Sequence, residues 1–184
     1  MVRLERLRAG HADALLAFER ENREYFARTV PDRGDAYFAE FASRHRALLA
    51  EQDAGTCHFH LVMTDRGDLV GRVNLVDVEE GSAELGYRIG EHAAGRGIAT
   101  AAVREVCRLA GSAYGLSALT AATTLDNAAS MAVLTRTGFA VEGDVTLDGR
   151  PRGPGPRPLD GRRGRGGGRV PGGARPRGGG APAL

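Results

Sequence analysis

The sequence predicts an α+β domain in which a mixed, mostly antiparallel sheet is flanked by helices. The spacing of apolar residues changes along the chain between the period of a strand and that of a helix. The resulting order is strand, two helices, three strands, helix, strand, helix and strand. The chain has 184 residues, of which 42% are apolar, and this is enough for one sizeable core. An abrupt change in composition near residue 150 indicates where the folded part ends.

The N-terminal half contains the first strand, two helices and a hairpin. Alternating apolar and charged residues predict a strand at 2–8. Residues 12–28 and 36–50 carry apolar side chains at helical spacing. Two further strands, 56–64 and 69–78, flank an Asp-Arg-Gly-Asp segment that is typical of a hairpin turn.

A second turn, Glu-Glu-Gly-Ser, leads into a strand at 83–89, and a helix then begins after Gly95 and Gly97. Backbone N–H groups at a helix N-terminus, aided by the helix dipole, hold a phosphate without a metal. A tight strand-to-helix turn without a ligand is the simpler interpretation. The chain lacks the Gly-Lys-Ser/Thr of a P-loop, and Thr100 stands where a dinucleotide fingerprint needs Gly or Ala.

The remaining elements follow the same logic. Residues 117–123 predict another strand, and Asp126 with Asn127 stand where a helix N-cap belongs. A strand is expected at about 139–147, and the Asp-Gly at 148–149 is typical of a hairpin corner.

Two of these segments resemble one enzyme family. Tyr87-Arg88-Ile89 and the following Ala-Gly-Arg-Gly-Ile-Ala-Thr are similar to the acetyl-CoA pyrophosphate motif of the GNAT N-acetyltransferases, Gln/Arg-x-x-Gly-x-Gly/Ala. The segment from Asp126 to Phe139 resembles that family's last helix and next strand, with the Asn-x-x-Ser and Gly-Phe of the RimJ/RimL branch. The resemblance covers roughly residues 2–147 and implies the GNAT fold, with residues 12–28 and 36–50 on the acceptor side.

The resemblance also implies acetyl-CoA as co-substrate and no metal. It assigns acetyl-CoA binding to Tyr87, Arg88, Ile89, His92, Gly95, Arg96, Gly97, Ile98, Ala99, Thr100 and Asn127. His92 departs from the family pattern, because it stands at the Gln/Arg position. Asn127 is implied to hydrogen-bond the pantetheine arm, a role that is compatible with capping the helix.

The implied reaction moves an acetyl group from acetyl-CoA to a primary amine by direct attack. The amine must first lose a proton, and the departing thiolate benefits from a proton donor. Glu84 lies five residues before Ile89, the register at which family members carry a general base. Ser130 is the serine of Asn-x-x-Ser, which lies near the sulfur in the RimJ/RimL branch. The alternatives are a polar residue on the outer sheet face for Glu84 and a surface serine for Ser130.

Cysteine and histidine usage indicates neither a disulfide framework nor a metal site. Cys57 and Cys107 are expected to be small buried hydrophobic residues. His58 and His60 share one strand face as a potential ligand pair, but no third ligand follows at suitable spacing, which favours a half-buried strand face. The N-terminus lacks a secretion signal and no run of about 18 apolar residues occurs, so a cytoplasmic protein without membrane contact is expected.

The C-terminal segment differs sharply from the rest. Residues 1–149 contain 16 arginines and 22 acidic residues, a formal charge of −6, whereas residues 150–184 contain nine arginines and one acidic residue, a charge of +8. We therefore predict an acetyltransferase domain at 1–149 and a disordered Arg/Gly/Pro-rich tail at 150–184. The tail is either native or an out-of-frame translation of a GC-rich gene.

The prolines at 151, 154, 156 and 158 predict that the last strand of the sheet is missing. A bare sheet edge favours pairing with another chain, which makes a homodimer one expected assembly.

Three functions follow from these observations. The first is an acetyl-CoA-dependent N-acetyltransferase that acts on a protein N-terminus or a small-molecule amine. The second is a non-catalytic acyl-CoA-binding module of the same fold. The third is an RNA-binding protein that uses its Arg/Gly tail, but the tail has no aromatic residue, so only weak, nonspecific nucleic-acid binding is expected.

Overall fold

Strands and helices alternate along the chain in the predicted order. The computed structural model describes residues 2–124, 126–140, 145–147, 150–153 and 157–158. The strands are β1 (Val2–Arg6), β2 (His58–Thr64), β3 (Leu69–Glu79), β4 (Ser82–Ile89), β5 (Ala118–Ala121), β6 (Thr123–Thr124), β7 (Val145–Leu147), β8 (Arg150–Gly153) and β9 (Arg157–Pro158). The helices are α1 (Ala12–Glu21), α2 (Arg23–Ala27), α3 (Gly34–Ala39), α4 (Phe41–Asp53), α5 (Ile98–Ser112) and α6 (Ala128–Arg136).

The main sheet has the strand order β1-β2-β3-β4-β5-β9, and β6-β8-β7 form a second, smaller sheet. Among the strand pairs of the described residues, β4–β5 alone is parallel, so the prediction of a mixed, mostly antiparallel sheet flanked by helices is confirmed. The predicted turn between β3 and β4 has positive φ angles at Glu80 and Gly81, the signature of a type I′ hairpin.

Each of the two long predicted helices is divided into two shorter ones. Asn22 separates α1 from α2, because its side chain bonds outside the helical ladder. Its Nδ2 donates to the Phe18 carbonyl at 2.9 Å, and its Oδ1 accepts from the Glu91 N–H at 2.9 Å. Gly90 allows this approach, since a Cβ there would lie 3.0 Å from the Phe18 ring. The break therefore ties α1 and α2 to the end of β4.

The two faces of the sheet pack against different helices. One face, which includes Leu85 of β4, joins Val103 and Val106 of α5 in the first apolar core. The other face packs with α1 to α4 in a second core that contains Phe18 and Phe59. Successive side chains of a strand point to opposite faces. Residues 85, 87 and 89 of β4 therefore face α5, and residues 84, 86 and 88 face α1.

The parallel pairing of β4 with β5 is short. It runs from Ser82 opposite Ala118 to Leu85 opposite Ala121. Beyond that point β4 continues to Ile89, whereas β5 ends. The two strands therefore diverge, and the last residues of β4 have no β5 partner in the described part of the sheet.

The prediction that residues 150–158 supply no strand is wrong. β8 pairs with β7 and β6, with Pro151 opposite Thr146, and β9 pairs with β5. Proline removes one donor, but its φ near −65° is compatible with short extended segments and with a sheet edge such as β9. β9 pairs with Ala118 and Leu119 of β5, so this edge is partly occupied, and homodimer formation stays a prediction. Residues 159–184 lie outside the described part, and the domain boundary at residue 149 stays a prediction.

Within the described residues, no helix combines the length and the hydropathy that crossing a membrane requires.

Candidate active site

A cleft of about 910 Å³ opens where β4 and β5 diverge. Its walls come from the end of β4, the start of α5, the chain between β5 and α6, and the end of α2 with the residues that follow it, within 25–31. Predicted cofactor and catalytic residues meet there, although they are far apart in sequence. The cleft lining includes Glu84, Tyr87, Arg88, Ile89, Gly95, Gly97, Ile98, Ala99, Thr100, Asn127 and Ser130.

The glycine turn at the start of α5 has the geometry of an anion cradle. Gly95 and Gly97 have φ angles of +74° and +76°, a left-handed conformation that favours glycine. A Cβ on either glycine would meet no atom within 4 Å, so the space above the backbone is open. α5 is 15 residues long, and the first N–H groups of such a helix have no partner within it. The backbone at this turn therefore fits the pyrophosphate of CoA.

Two of the predicted CoA ligands lie outside the cleft lining. His92 is exposed in a short 3₁₀ turn at Glu91–Ala93. Arg96 lies between the two left-handed glycines and lines a second cavity of about 610 Å³, next to Val2 and Asp68. In this geometry the side chains of His92 and Arg96 take no part in the cleft.

Asn127 and Ser130 are joined by the capping interaction that the sequence predicts. Asn127 is the N-cap of α6, and its Oδ1 accepts a hydrogen bond from the Ser130 N–H at 3.0 Å. The cap fixes the first turn of α6, and with it the position of the Ser130 hydroxyl. Both residues line the cleft.

Tyr87 adds a second hydroxyl to this position. Its Oη lies 3.0 Å from Ser130 Oγ. Burial raises the pKa of Tyr87, and the hydrogen bond with Ser130 partly opposes that shift. A phenol with a raised pKa keeps its proton at neutral pH, so it can serve as a donor. The sequence resemblance assigned Tyr87 only to CoA binding, and the pair spans 43 residues, a separation that no local pattern reveals.

Glu84 and Tyr87 approach the cleft from opposite faces of β4. Glu84 is half-buried and pairs across the sheet with Val76 of β3. Gly86, on the same face, leaves room for the Asn74 side chain, because a Cβ at Gly86 would lie 3.2 Å from Asn74 Nδ2. The divergence of β4 from β5 exposes the edge of β4, and both faces therefore contribute to one cleft.

A buried cluster of charged residues lies on the α1 side of the cleft, and its Arg72 and Arg88 belong to the cleft lining. Glu19 is 2% exposed, and its Oε1 lies 2.8 Å from Arg72 Nε. Its Oε2 lies 3.4 Å from Arg88 Nη1. The Arg88 side chain therefore points to the α1 side, and only its main chain can serve the CoA role that the sequence predicts.

Glu19 and Arg72 were not predicted as site residues, although each is a charged residue at an otherwise apolar position of the sequence. Glu19 shares the apolar stripe of α1 with Leu15 and Phe18, and Arg72 interrupts the apolar run of β3. A charge at a core position of a helix or strand needs a buried partner.

His58 and His60 lie on a packed face of β2, as the sequence predicts, and both rings contact Tyr114. His58 stacks on Tyr114 with 3.7 Å between ring centroids, and His60 Nε2 lies 2.7 Å from the Tyr114 hydroxyl. The described residues contain no cluster of three potential His, Cys, Asp or Glu ligands. Cys57 and Cys107 are buried free thiols, as expected.

His60 predicts a pH dependence of stability. It is 2% exposed, and burial together with the charge of Arg6 lowers its pKa from 6.5 to about 4. The unfolded chain then binds more protons, so stability is complete above about pH 6.5 and is lost as the pH falls toward 4. We expect the wild type to lose roughly 2–3 kcal/mol more than His60→Gln between pH 7 and 4.5. Urea unfolding at a series of pH values measures this difference.

The exposed His92 supplies the control, because His92→Gln should follow the wild-type pH profile. Parallel profiles for the wild type and His60→Gln would show that His60 does not contribute.

Known proteins resemble this chain over most of its length. A family model described as an acetyltransferase (GNAT) domain matches residues 2–140. The probable N-acetyltransferase YjcK of Bacillus subtilis is 30% identical over 139 residues, which cover 72% of this chain and 76% of the relative.

Two solved structures share the fold. RimJ of Mycobacterium smegmatis, in complex with CoA-disulfide, has a TM-score of 0.73 at 27% identity and covers 82% of this chain and 78% of its own. The ribosomal-protein-S5-alanine acetyltransferase of Vibrio fischeri has a TM-score of 0.78 at 20% identity, with coverage of 87% and 94%. The family match spans the glycine cradle, Glu84 and Ser130. The chain therefore belongs to the GNAT family of acetyl-CoA-dependent N-acetyltransferases.

Proposed function

We propose that this chain transfers the acetyl group by direct attack of an amine, with Glu84 as the base and Ser130 as the acid. One observation carries the proposal: a single cleft contains the glycine cradle, the carboxylate and the hydroxyl pair. Acetyl-CoA supplies the activated acetyl group as a thioester. The chain supplies the binding surface, the orientation of the amine and the movement of two protons.

The main chain is suited to hold CoA. The N–H groups from Gly95 to Thr100 would hold the pyrophosphate, as in other helix N-termini that bind anions. The edge of β4 beyond Leu85 would pair with the amides of the pantetheine arm. The cap engages only Oδ1 of Asn127, and its Nδ2 group can donate to that arm.

The two proton transfers are assigned to opposite faces of β4. Glu84 accepts the proton that the ammonium group must lose, either directly or through one water. Ser130 donates its proton to the departing thiolate, and the Tyr87 hydroxyl, 3.0 Å away, reprotonates Ser130. As the products leave, solvent returns a proton to Tyr87 and takes the proton from Glu84. Each proton then has a donor and an acceptor, and no covalent acyl-enzyme is needed.

Gly97→Glu tests the CoA part of the proposal. The substitution places a carboxylate in the anion cradle, at a φ of +76°. We expect CoA affinity to fall by more than about tenfold, because like charges repel and the backbone approach is blocked. Isothermal titration with CoA measures the change.

Gly55→Glu is a matched control. Gly55 has a φ of +78°, and a Cβ there meets no atom within 4 Å. It carries the same backbone strain but lies outside the cleft lining. Equal CoA affinity of the two variants would rule out the cradle.

Turnover separates catalysis from binding alone. An amine library with acetyl-CoA should give free CoA for at least one acceptor, whereas a non-catalytic acyl-CoA-binding module would bind CoA and release none. Cytoplasmic location, homodimer formation and weak nucleic-acid binding by the tail stay predictions.

A further inference from the structure

On the α1 side of the cleft, three arginines lie around the buried carboxylate of Glu19. Arg33, Arg72 and Arg88 lie near Glu19. Burial lowers the pKa of Arg33 and of Arg88, the charge of Arg72 lowers both further, and the charge of Glu19 opposes the shift. The side chains of Glu19, Arg72 and Arg88 are 2%, 6% and 17% exposed. Within this group of four side chains, three guanidinium groups and one carboxylate leave an excess of two positive charges. Glu84, four residues before Arg88 on β4, is a further carboxylate of the cleft and is assigned to the amine.

Burying unbalanced positive charge is unfavourable in free energy, and two features of the cluster indicate this penalty. All three guanidinium nitrogens of Arg33 are buried without a well-oriented hydrogen bond among the described residues, and the group lies 4.4 Å above the ring centroid of Tyr37, a polar neighbour. Burial, together with the charges of Arg72 and Arg33, lowers the pKa of Arg88 to about 9. Buried cations without partners are rare in native proteins unless an anion binds next to them.

The cluster faces the acceptor side of the cleft. Arg72 and Arg88 lie opposite each other on β3 and β4, and both line the cleft. Phe26 of α2 packs under Arg88, with 5.1 Å between the guanidinium carbon and the ring centroid. An anion that enters from the segment after α2 would meet both guanidinium groups.

The spacing along β4 limits the size of the acceptor. Glu84 and Arg88 share one face of the strand and are four residues apart, which is about 13 Å between Cα atoms. Both side chains can lean toward each other, so an amine at Glu84 and an anion at Arg88 would be roughly 5–10 Å apart. An extended peptide covers this distance in two or three residues.

We infer that the acceptor is a peptide N-terminus with an acidic residue at its second or third position, whose carboxylate binds Arg72 and Arg88. The inference rests on the proposed function, since Glu84 marks the position of the amine. Two arginines that bind one carboxylate form strong, oriented hydrogen bonds with it. The same charges repel a polyamine.

Matched acceptors test the inference with the full-length protein and acetyl-CoA. C-terminally amidated Ser-Asp-Ala-Ala and Ser-Ala-Asp-Ala are compared with their Asn counterparts, with spermidine and with γ-aminobutyrate. We expect kcat/KM to be at least about tenfold higher for one Asp peptide than for its Asn counterpart. Equal rates for Asp and Asn peptides, or a preference for spermidine, would overturn the inference. Faster turnover of γ-aminobutyrate than of every peptide would overturn the peptide assignment.

Substitutions of single arginines test whether Arg72 and Arg88 cause the preference for Asp peptides. Arg88→Gln and Arg72→Gln should each reduce the Asp preference to less than about threefold, whereas Arg46→Gln, an exposed arginine of α4, should preserve it. Titration with CoA confirms that each variant folds. A preference that survives both cluster substitutions contradicts the assignment to these arginines.

A binding measurement separates this inference from the proposed catalysis. The amidated Asp and Asn peptides are titrated into protein saturated with CoA, which needs no turnover. Tighter binding of the Asp peptide without any acetylation would support the anion site and reject the catalytic proposal. Acetylation of neutral peptides, with equal binding of the Asp and Asn peptides, would support the catalytic proposal and reject the anion site.

Discussion

Glu84→Gln is expected to lower kcat by about 10²–10⁴-fold while CoA affinity stays at the wild-type level, because the amide keeps the shape of the side chain but accepts no proton. Steady-state kinetics with the acceptor found by screening measure the loss, and titration with CoA confirms binding. Glu79→Gln, at the exposed end of β3, is the matched control and should keep wild-type kcat. A near-wild-type rate for Glu84→Gln at every pH would remove Glu84 from the mechanism.

The two hydroxyl groups of the proposed acid step are expected to differ in how much they contribute to kcat. Ser130→Ala removes the hydroxyl that we propose as the donor to the thiolate and should cost about 10²-fold or more in kcat. Tyr87→Phe removes only the second hydroxyl of the pair, so its loss should be smaller. A larger loss for Tyr87→Phe than for Ser130→Ala would instead make the phenol the direct donor.

Glu19→Gln is expected to destabilise the fold by about 3–5 kcal/mol, because it leaves three buried arginines without their counter-charge. Urea unfolding at neutral pH measures the free energy of unfolding. Glu40→Gln breaks an exposed pair with Arg44, at 2.8 Å, and should cost no more than about 0.5 kcal/mol.

A second variant checks the physical reason. Glu19→Leu combined with Arg72→Met should recover part of the loss, because an apolar pair replaces a broken buried ion pair. A loss below about 1 kcal/mol for Glu19→Gln would mean that water or another acid already neutralises the arginines.

Local patterns determined most of the fold. The period of apolar residues predicted β1, β2, β3, β4 and α5, since a strand or an amphipathic helix must bury one face. The glycine turn before α5 and the Asn127 cap were also readable, because each depends on the conformation or hydrogen bond of a few adjacent residues.

The short strands β8 and β9 were missed for a tertiary reason. Their prolines disfavour a strand in isolation, yet pairing with β7 and β5 fixes their extended backbone. The break at Asn22 was missed because its cause, a hydrogen bond to Glu91, spans 69 residues.

The sequence by itself determined the family, and it predicted the glycine turn as a CoA cradle and Glu84 and Ser130 as candidate residues. Only the tertiary structure decided which side chains meet. It paired Tyr87 with Ser130, directed Arg88 away from CoA to Glu19, and left His92 and Arg96 outside the cleft. A motif records neighbours along the chain, whereas the chemistry of a site depends on distances across it. Those distances depend on strand alternation and on the divergence of β4 from β5, and both are properties of the folded sheet.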